Sequence, residues 1–397
     1  MLNGPLAGFT VLDLSRFVAG PMASLILAEQ GADVIKIEPV GGESFRRSGA
    51  TKQAVGAWWY STNRGKRSVA IDLKHEVGAQ IVDRLLPRVD VLLHNFRGGV
   101  ADRLGLGWDA VQERNPRIVY ATMNGFGTKG PLAGRRAYDN IIQAFSGIQA
   151  TQGGAGDPQS IRTPISDKIG PLLLAQAITA ALLERERSGR GQLLETSMLH
   201  SSLWWMWADM LMNDTFLDDD GTVSRGDGPR DYNNIAFPTR DGYVTTGAST
   251  PAEFVALASA LDRPDWLTDP QLASQDWRNE NRTEFFDRIA AELLNFTTDD
   301  LLDRFAASDA QGARVNDPAE VPDHEQVVAN DMVVVLNDPR LGRIRQPTPA
   351  VTFSRTPVTA QLAPRPGEHT REVLRSLGYG DSEIAEFTAG GIVGAPD

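Results

Sequence analysis

At 397 residues the chain exceeds an ordinary single domain, so two domains, or one large domain carrying an insertion, are expected. Its 41% hydrophobic and 23% charged residues are the composition of a folded globular protein, and a net charge of −12 argues against a general nucleic-acid binder or a protein drawn to anionic lipid. The absence of cysteine removes disulfides, thiolate nucleophiles and thiolate metal sites, and no run of about 18 apolar residues or basic-then-apolar leader pattern occurs, so a cytoplasmic, non-membrane location is the expectation.

Strand and helix signals alternate in the first half. "FTVLDLS" (9–15) is a short β-rich run, and "PMASLILAEQGA" (21–32) follows as a helix, with proline in its first turn and Gly31 as its stop. "DVIKIE" (33–38), "SVAIDL" (68–73), "VDVLLHNF" (89–96) and "RIVYATMNGF" (117–126) read as further strands. Strands separated by helices predict an α/β fold with a mostly parallel sheet covered on both faces. From 138 the pattern is helical: "YDNIIQAFSGI", then 168–187, then "SMLHSSLWWMWADMLMND" (197–214). An acidic, Gly-rich connector (214–233) precedes a block with two strands joined by an Asp-Gly turn (234–247) and helices at 251–261, 279–294 and 298–307. A strand at 331–339 and a helix at 367–378 close the chain.

The chain has no G-x-S-x-G elbow, H-E-x-x-H pair or phosphate-loop motif, and "SRFVAGP" after the first strand carries one glycine where a dinucleotide fingerprint needs three. The five histidines (75, 94, 200, 324, 369) lack metal-ligand spacing and read as surface or cap residues. The cations, by contrast, cluster. Residues 36–67 hold Lys36, Arg46, Arg47, Lys52, Arg64, Lys66 and Arg67 against only Glu38 and Glu43, a pattern that suits either a polyphosphate ligand or a solvated loop. Asp167 stands alone at the mouth of a long apolar helix. There it serves either as a cap, a role open to Ser166 too, or as a carboxylate kept ionised by the helix N-terminus and able to attack an acyl group. Position alone does not choose between these roles.

"VLDLSRFVAGPMASLILAEQGADVIKIEPVGGESFR", "NRGKRSVAIDLK", "ADRLG", "YDNIIQAFSGI", "SGRGQLLETSM" and "PGEHTREVLRSLGYGDSEI" together resemble the class III CoA-transferase family, which also holds carnitine CoA-transferases, formyl-CoA transferases and α-methylacyl-CoA racemases. The resemblance runs from about residue 5 to 390. It implies that Asp167, in "SDKIG", is the nucleophile that carries acyl and CoA groups as aspartyl anhydride and aspartyl-CoA. It places coenzyme A against Phe17, Val18, Ala19, Ile71, Leu73, Asn95, Phe96, Arg103 and Leu104, with Arg136 and Asp139 near the thioester and Met198 near the acyl end.

Coenzyme A enters as substrate and product beside a carboxylic acid acceptor, and no tightly bound cofactor or metal is implied. The architecture implied is a Rossmann-like large domain (1–213, with 326–397 returning to it), a linker (214–233) and a small α+β domain (234–325), in an interlocked homodimer. A glycine-rich segment, 224–231 with Gly226 and Gly228, matches in position a mobile loop of some members. Pro39 stands where transferases often place an arginine for the CoA phosphates, so Arg46, Arg47 or Arg64 is the expected substitute. Val18 stands where the formyl-CoA enzyme has an amide, which argues against oxalate or formate as substrate. Tyr138 occupies the place of the racemase histidine and is a poor base near neutral pH, which favours transfer over racemisation. A catalytically silent CoA-binding protein is the remaining alternative. The tryptophans and methionines of 203–212 suit a subunit or core interface, or an apolar acyl pocket.

Overall fold

Short runs of valine, isoleucine and leucine between helical stretches build one large sheet. In the computed structural model, which describes residues 3–154, 156–217, 222–223 and 236–396, six parallel strands are β1 (Thr10–Asp13), β2 (Asp33–Glu38), β3 (Arg67–Ile71), β4 (Val91–His94), β5 (Val119–Asn124) and β6 (Leu193–Ser197). They lie in the order β3-β2-β1-β4-β5-β6, with the short strand Val393–Gly394 added antiparallel on the β3 edge. The order reverses between β1 and β4, and in open α/β sheets a ligand crevice opens at such a switch point, beyond the carboxyl ends of the strands.

Alternation along each strand feeds two cores. Leu12, Ile35, Ile37, Val69 and Leu92 face one way, against Ile81, Val82 and Leu85 of the helix at 76–85 and against Leu374 and Ile384. Val11, Val34, Val91 and Leu93 face the other, against α1 (Ala19–Ala28) and the long helix α3 (Ser166–Ser188). Between them α2 (Asp139–Ser146) and, after β6, α4 (Met198–Met206) complete this side. The helix expected over 197–214 is thus shorter, ending at Met206. Its first residue instead follows β6, a strand absent from the sequence reading because "LLETS" has no alternation and is ordered by its pairing with β5.

Contacts divide the chain into two units, one formed by 1–153, 157–215 and 329–397, the other by 154–156 and 216–328. The second unit has an antiparallel sheet of β7 (Ala236–Pro238), β8 (Tyr243–Thr246) and β9 (Gly312–Arg314). Asp241–Gly242 turns β7 into β8, and the Thr239 amide donates to the Gly242 carbonyl at 2.9 Å. Its helices are α5 (Pro251–Ala260), α6 (Gln275–Glu280), α7 (Arg282–Leu293) and α8 (Thr298–Ser308), around a core of Phe237, Val244, Phe254, Leu257, Phe285 and Ile289. The single helix expected over 279–294 is broken at Asn281, whose φ of −117° and ψ of 44° are not helical. The segment 224–231 lies outside the described residues, as does most of the 214–233 connector.

Candidate active site

A cavity of about 960 Å³ opens at the carboxyl ends of β1 to β4. Leu14, Arg16 and Phe17 after β1, Pro39 and Val40 after β2, Leu73 and Lys74 after β3, and Asn95, Phe96 and Arg97 after β4 form its walls, with Arg103 and Leu104 closing one side. Arg16, Lys74, Arg97 and Arg103 are exposed, and among the described residues none of the four is ion-paired. Four uncommitted cations around an apolar-floored cleft make it a site for a ligand with both a polyanionic and an apolar part.

The loop after β1 is fixed from below. Asp13, Lys36 and Lys66 are fully or almost fully buried at the end of β1. The Lys66 ammonium donates to the Pro21 carbonyl (2.8 Å) and Asn63 Oδ1 (2.9 Å) and pairs with Asp13 Oδ2 at 3.2 Å. The Ser15 amide and Ser24 hydroxyl also donate to Asp13. Burial works against the Asp13 charge, but Lys66, Lys36 and these donors outweigh it and hold the carboxyl well below its ordinary range. Burial, helped by Lys36 and opposed by Asp13, pushes Lys66 down to about 8.

Lys36 donates to the Ser15 carbonyl at 2.8 Å and pairs with Glu43, whose other oxygen accepts from the Phe17 amide at 3.4 Å. The Asn95 side-chain amide grips the Arg16 backbone from both sides, accepting from its N–H at 2.8 Å and donating to its carbonyl at 2.7 Å. Gly20 lets α1 start this close, since a Cβ there would lie 2.2 Å from Ser15 Cβ. So clamped, Phe17 holds a left-handed φ of 65° that a bulky residue adopts only when its surroundings enforce it. Its ring stands 44% exposed, edge-on to Phe45 and to Tyr138.

Phe96 is likewise backed by a buried group. The His94 ring stacks on it at 5.0 Å between centroids. His94 Nδ1 accepts from the Phe96 amide at 3.2 Å, and Nε2 lies 2.7 Å from the Tyr120 hydroxyl, which donates to the Leu106 carbonyl at 2.7 Å. That arrangement leaves the Tyr120 oxygen as acceptor and fixes the neutral Nε2–H tautomer. Burial pushes His94 down to about 4, so the ring stays uncharged at neutral pH. His94 is therefore neither a surface nor a cap residue.

Tyr138, the neighbour of Phe17, precedes α2, and the next residue is Asp139. The Asp139 carboxylate is buried and accepts from the Ser166 amide at 2.7 Å, the Asp167 amide at 3.3 Å and Gln143 Nε2 at 2.5 Å. Asp139 thus caps α3 from a different helix, and neither Ser166 nor Asp167 supplies a capping side chain. Among the described residues the Asp167 carboxyl accepts no hydrogen bond. Burial, and next the neighbouring Asp139 charge, push it up to about 7, with Lys168 partly offsetting them. The expectation that the helix N-terminus keeps Asp167 ionised is corrected by this arrangement, because the amides that would have supported its charge serve Asp139 instead. A carboxylate that is half ionised near neutral pH and free of hydrogen bonds is a better nucleophile than an ordinary one.

The family model of CoA-transferase family III matches residues 6–370. The chain belongs to this family. It is 32% identical over 394 residues to the succinyl-CoA–D-citramalate CoA-transferase of Chloroflexus aurantiacus, covering 97% of each protein. It is 31% identical over 397 residues to the succinyl-CoA:glutarate CoA-transferase of Mus musculus, covering 98% of this chain and 90% of that one. Among solved structures, a CAIB/BAIF family protein from Brucella suis is 27% identical with a TM-score of 0.81, covering 94% of this chain and all of that one.

In this CoA-transferase family chain, seven of the residues singled out by resemblance line one cavity: Phe17, Ile71, Leu73, Asn95, Phe96, Arg103 and Leu104. Val18 and Ala19 are buried at the start of α1, and Met198 is buried in the core beside α3. Arg136 is exposed near Tyr138, and Asp139 is the cap of α3. The basic run at 36–67 is corrected as a polyphosphate site. Lys36 and Lys66 serve the β1 loop, Arg46 pairs with Glu38 (Nε to Oε2 2.7 Å), Arg64 with Glu29 (Nε to Oε1 3.0 Å) and Arg67 with Asp33 (Nε to Oδ1 2.8 Å). Neither Arg46 nor Arg64 therefore replaces the arginine missing at Pro39, while Arg47 is exposed. The cations at the cavity that sequence reading missed, Arg16, Lys74 and Arg97, had one usable signal: each falls three residues beyond a strand end.

Proposed function

We propose that the chain transfers CoA from an acyl-CoA thioester to a free carboxylic acid, with Asp167 as the covalent carrier. The observation that carries this reading is the Asp167 carboxyl, raised to about 7 and, among the described residues, without a hydrogen bond, at the head of α3. A series of contacts links that position to the cavity wall, from Asp139 through its neighbour Tyr138 to the Phe17 ring. The cavity takes coenzyme A, its phosphates beside Arg16, Lys74, Arg97 and Arg103, its adenine on Phe96, and its thioester end toward Phe17.

The ionised Asp167 oxygen attacks the thioester carbonyl carbon, the C–S bond breaks, and CoA leaves as thiolate beside an aspartyl acyl anhydride. The thiolate attacks the aspartyl carbonyl, releasing the donor acid and forming aspartyl-CoA. The acceptor carboxylate then displaces thiolate to give a second anhydride, and thiolate attack on its acceptor carbonyl yields the new thioester and restores Asp167. Two of the similar proteins are named as succinyl-CoA transferases, which makes succinyl-CoA the first donor to try.

We assign a homodimer as the working assembly. The supporting surface is the exposed apolar set on α2 and around α4, which includes Ile141 (44%), Phe145 (57%), Trp204 (63%) and Trp207 (47% exposed). Light scattering at micromolar concentration gives twice the chain mass on this reading, and a dimer resisting dissociation on dilution is what interlocking adds. The activity test is a panel of carboxylic acids offered with succinyl-CoA, read as new acyl-CoA by mass. Turnover with at least one acceptor, and none in Asp167→Asn, is expected; solvent deuterium entering the α-carbon without any acceptor would instead establish racemisation.

A further inference from the structure

The second unit holds a cavity of its own, about 570 Å³, enclosed by the loop after β8, helices α6 and α7, and strand β9. Although the chain carries 51 acidic residues against 39 Lys and Arg, among the described residues no acid lines it. Arg278 and Arg282 do, and Arg278 is only 3% exposed. Its guanidinium donates to the Leu272 carbonyl and lies 4.1 Å over the Phe254 ring, and among the described residues no carboxylate pairs with it. Burial holds its pKa below the usual arginine value. A buried cation without a counter-ion is costly, and a structure that retains one beside a cavity gains most from an anion that enters it.

The rest of the wall defines the ligand. Phe285 and Phe286 give an apolar side. Gln275 and Gln311 donate to the Ser249 and Gly247 carbonyls at 2.9 Å each, and the Glu253 carboxylate accepts from the Ser249 and Thr250 amides, so the loop 247–250 is held in place. We propose that this cavity is a second ligand site, in the small unit, for a small carboxylate with an apolar body, its head on Arg278 and its body on the two phenylalanines. The volume, and a lining of two phenylalanines beside Arg278 and Arg282, are those of small-molecule pockets. The assignment does not depend on the role of Asp167.

Benzoate is the probe, titrated into the full chain by calorimetry and by saturation-transfer NMR, with benzamide as its uncharged counterpart. Benzoate binding is expected, with benzamide at least about tenfold weaker. Arg278→Met should weaken benzoate by at least about tenfold. Gly247→Leu keeps the test open if loss of Arg278 impairs folding: Gly247 lines the cavity and a Cβ there meets no atom within 4 Å, so a side chain can be added at this wall and should weaken the probe. Asp167→Asn, and saturation with coenzyme A, should leave benzoate binding unchanged. Absence of binding at about 10 mM, wild-type affinity in folded Arg278→Met or Gly247→Leu, or displacement of benzoate by coenzyme A would each overturn the second site.

Discussion

Two groups of cations in the large unit behave oppositely. Most of those at 36–67 are dense in sequence and committed in space: Lys36 and Lys66 are buried against Asp13 and Glu43, and Arg46 lies 3.6 Å over the Trp59 ring while bonded to Glu38. Those at Arg16, Lys74, Arg97 and Arg103 are scattered in sequence, exposed, and gathered around one cavity by strand ends. Cation density in a sequence therefore says little about ligand binding; what matters is whether acids of the same fold have already claimed the charge. Lys36 and Lys66 of the first group hold the Phe17 loop in shape, and the second group remains available to a polyanion.

Breaking the first group should cost stability most. Lys66→Met leaves Asp13 buried without its partner, and a loss of about 3–5 kcal/mol is expected in urea unfolding. Asp13→Asn should fall in the same range. Because the folded Asp13 pKa lies below its unfolded value of 3.8, its contribution is present above that value and fades as pH falls further, so the wild type should lose stability below about pH 4 and Asp13→Asn should lose less there. Breaking the second group should leave stability within about 0.5 kcal/mol of wild type. Arg97→Ala or Arg103→Ala should raise the acyl-CoA KM about tenfold and flatten its salt dependence, with kcat little changed. A stable Lys66→Met, or an Arg103→Ala that unfolds without a KM effect, would reverse the comparison.

Smaller effects should follow at the groups that back these walls. His94→Leu removes the acceptor for the Phe96 amide and the stacking ring, and should raise acyl-CoA KM roughly threefold to tenfold while kcat holds. For Asp167 the direction is opposite to that for Asp13. Its folded pKa is raised from 3.8 to about 7, so the neutral form is favoured on folding, and the resulting stability is full below 3.8 and lost as pH rises through 7. Asp167→Asn should thus stabilise the protein above pH 7, by at most about 4 kcal/mol at roughly 1.4 kcal/mol per pKa unit, read as a higher urea midpoint at pH 8 than at pH 5 relative to wild type.

Much of the large sheet was legible because its strands are β-branched runs bounded by helix signals; "DVIKIE" is β2 residue for residue. The family motifs reached most of the cavity wall for the same reason, since they sit at strand ends. What stayed hidden depends on long-range pairing. β6 is ordered by β5, where Leu193 pairs with Tyr120, 73 residues upstream, and not by its own pattern. Asp139 caps a helix 27 residues on, a relation no local capping rule encodes. His94 reads as an isolated histidine until Tyr120 and Phe96 close around it.

The central claim is that Asp167 becomes covalently attached to the group in transit. Incubating the chain with succinyl-CoA, trapping with hydroxylamine, and sequencing the peptide that spans 162–185 by mass spectrometry reads this directly. A hydroxamate mass shift on Asp167, formed only with donor present and faster as pH rises through 7, is the predicted result. Turnover that proceeds with Asp167 unmodified, or modification at another carboxylate, would contradict the account.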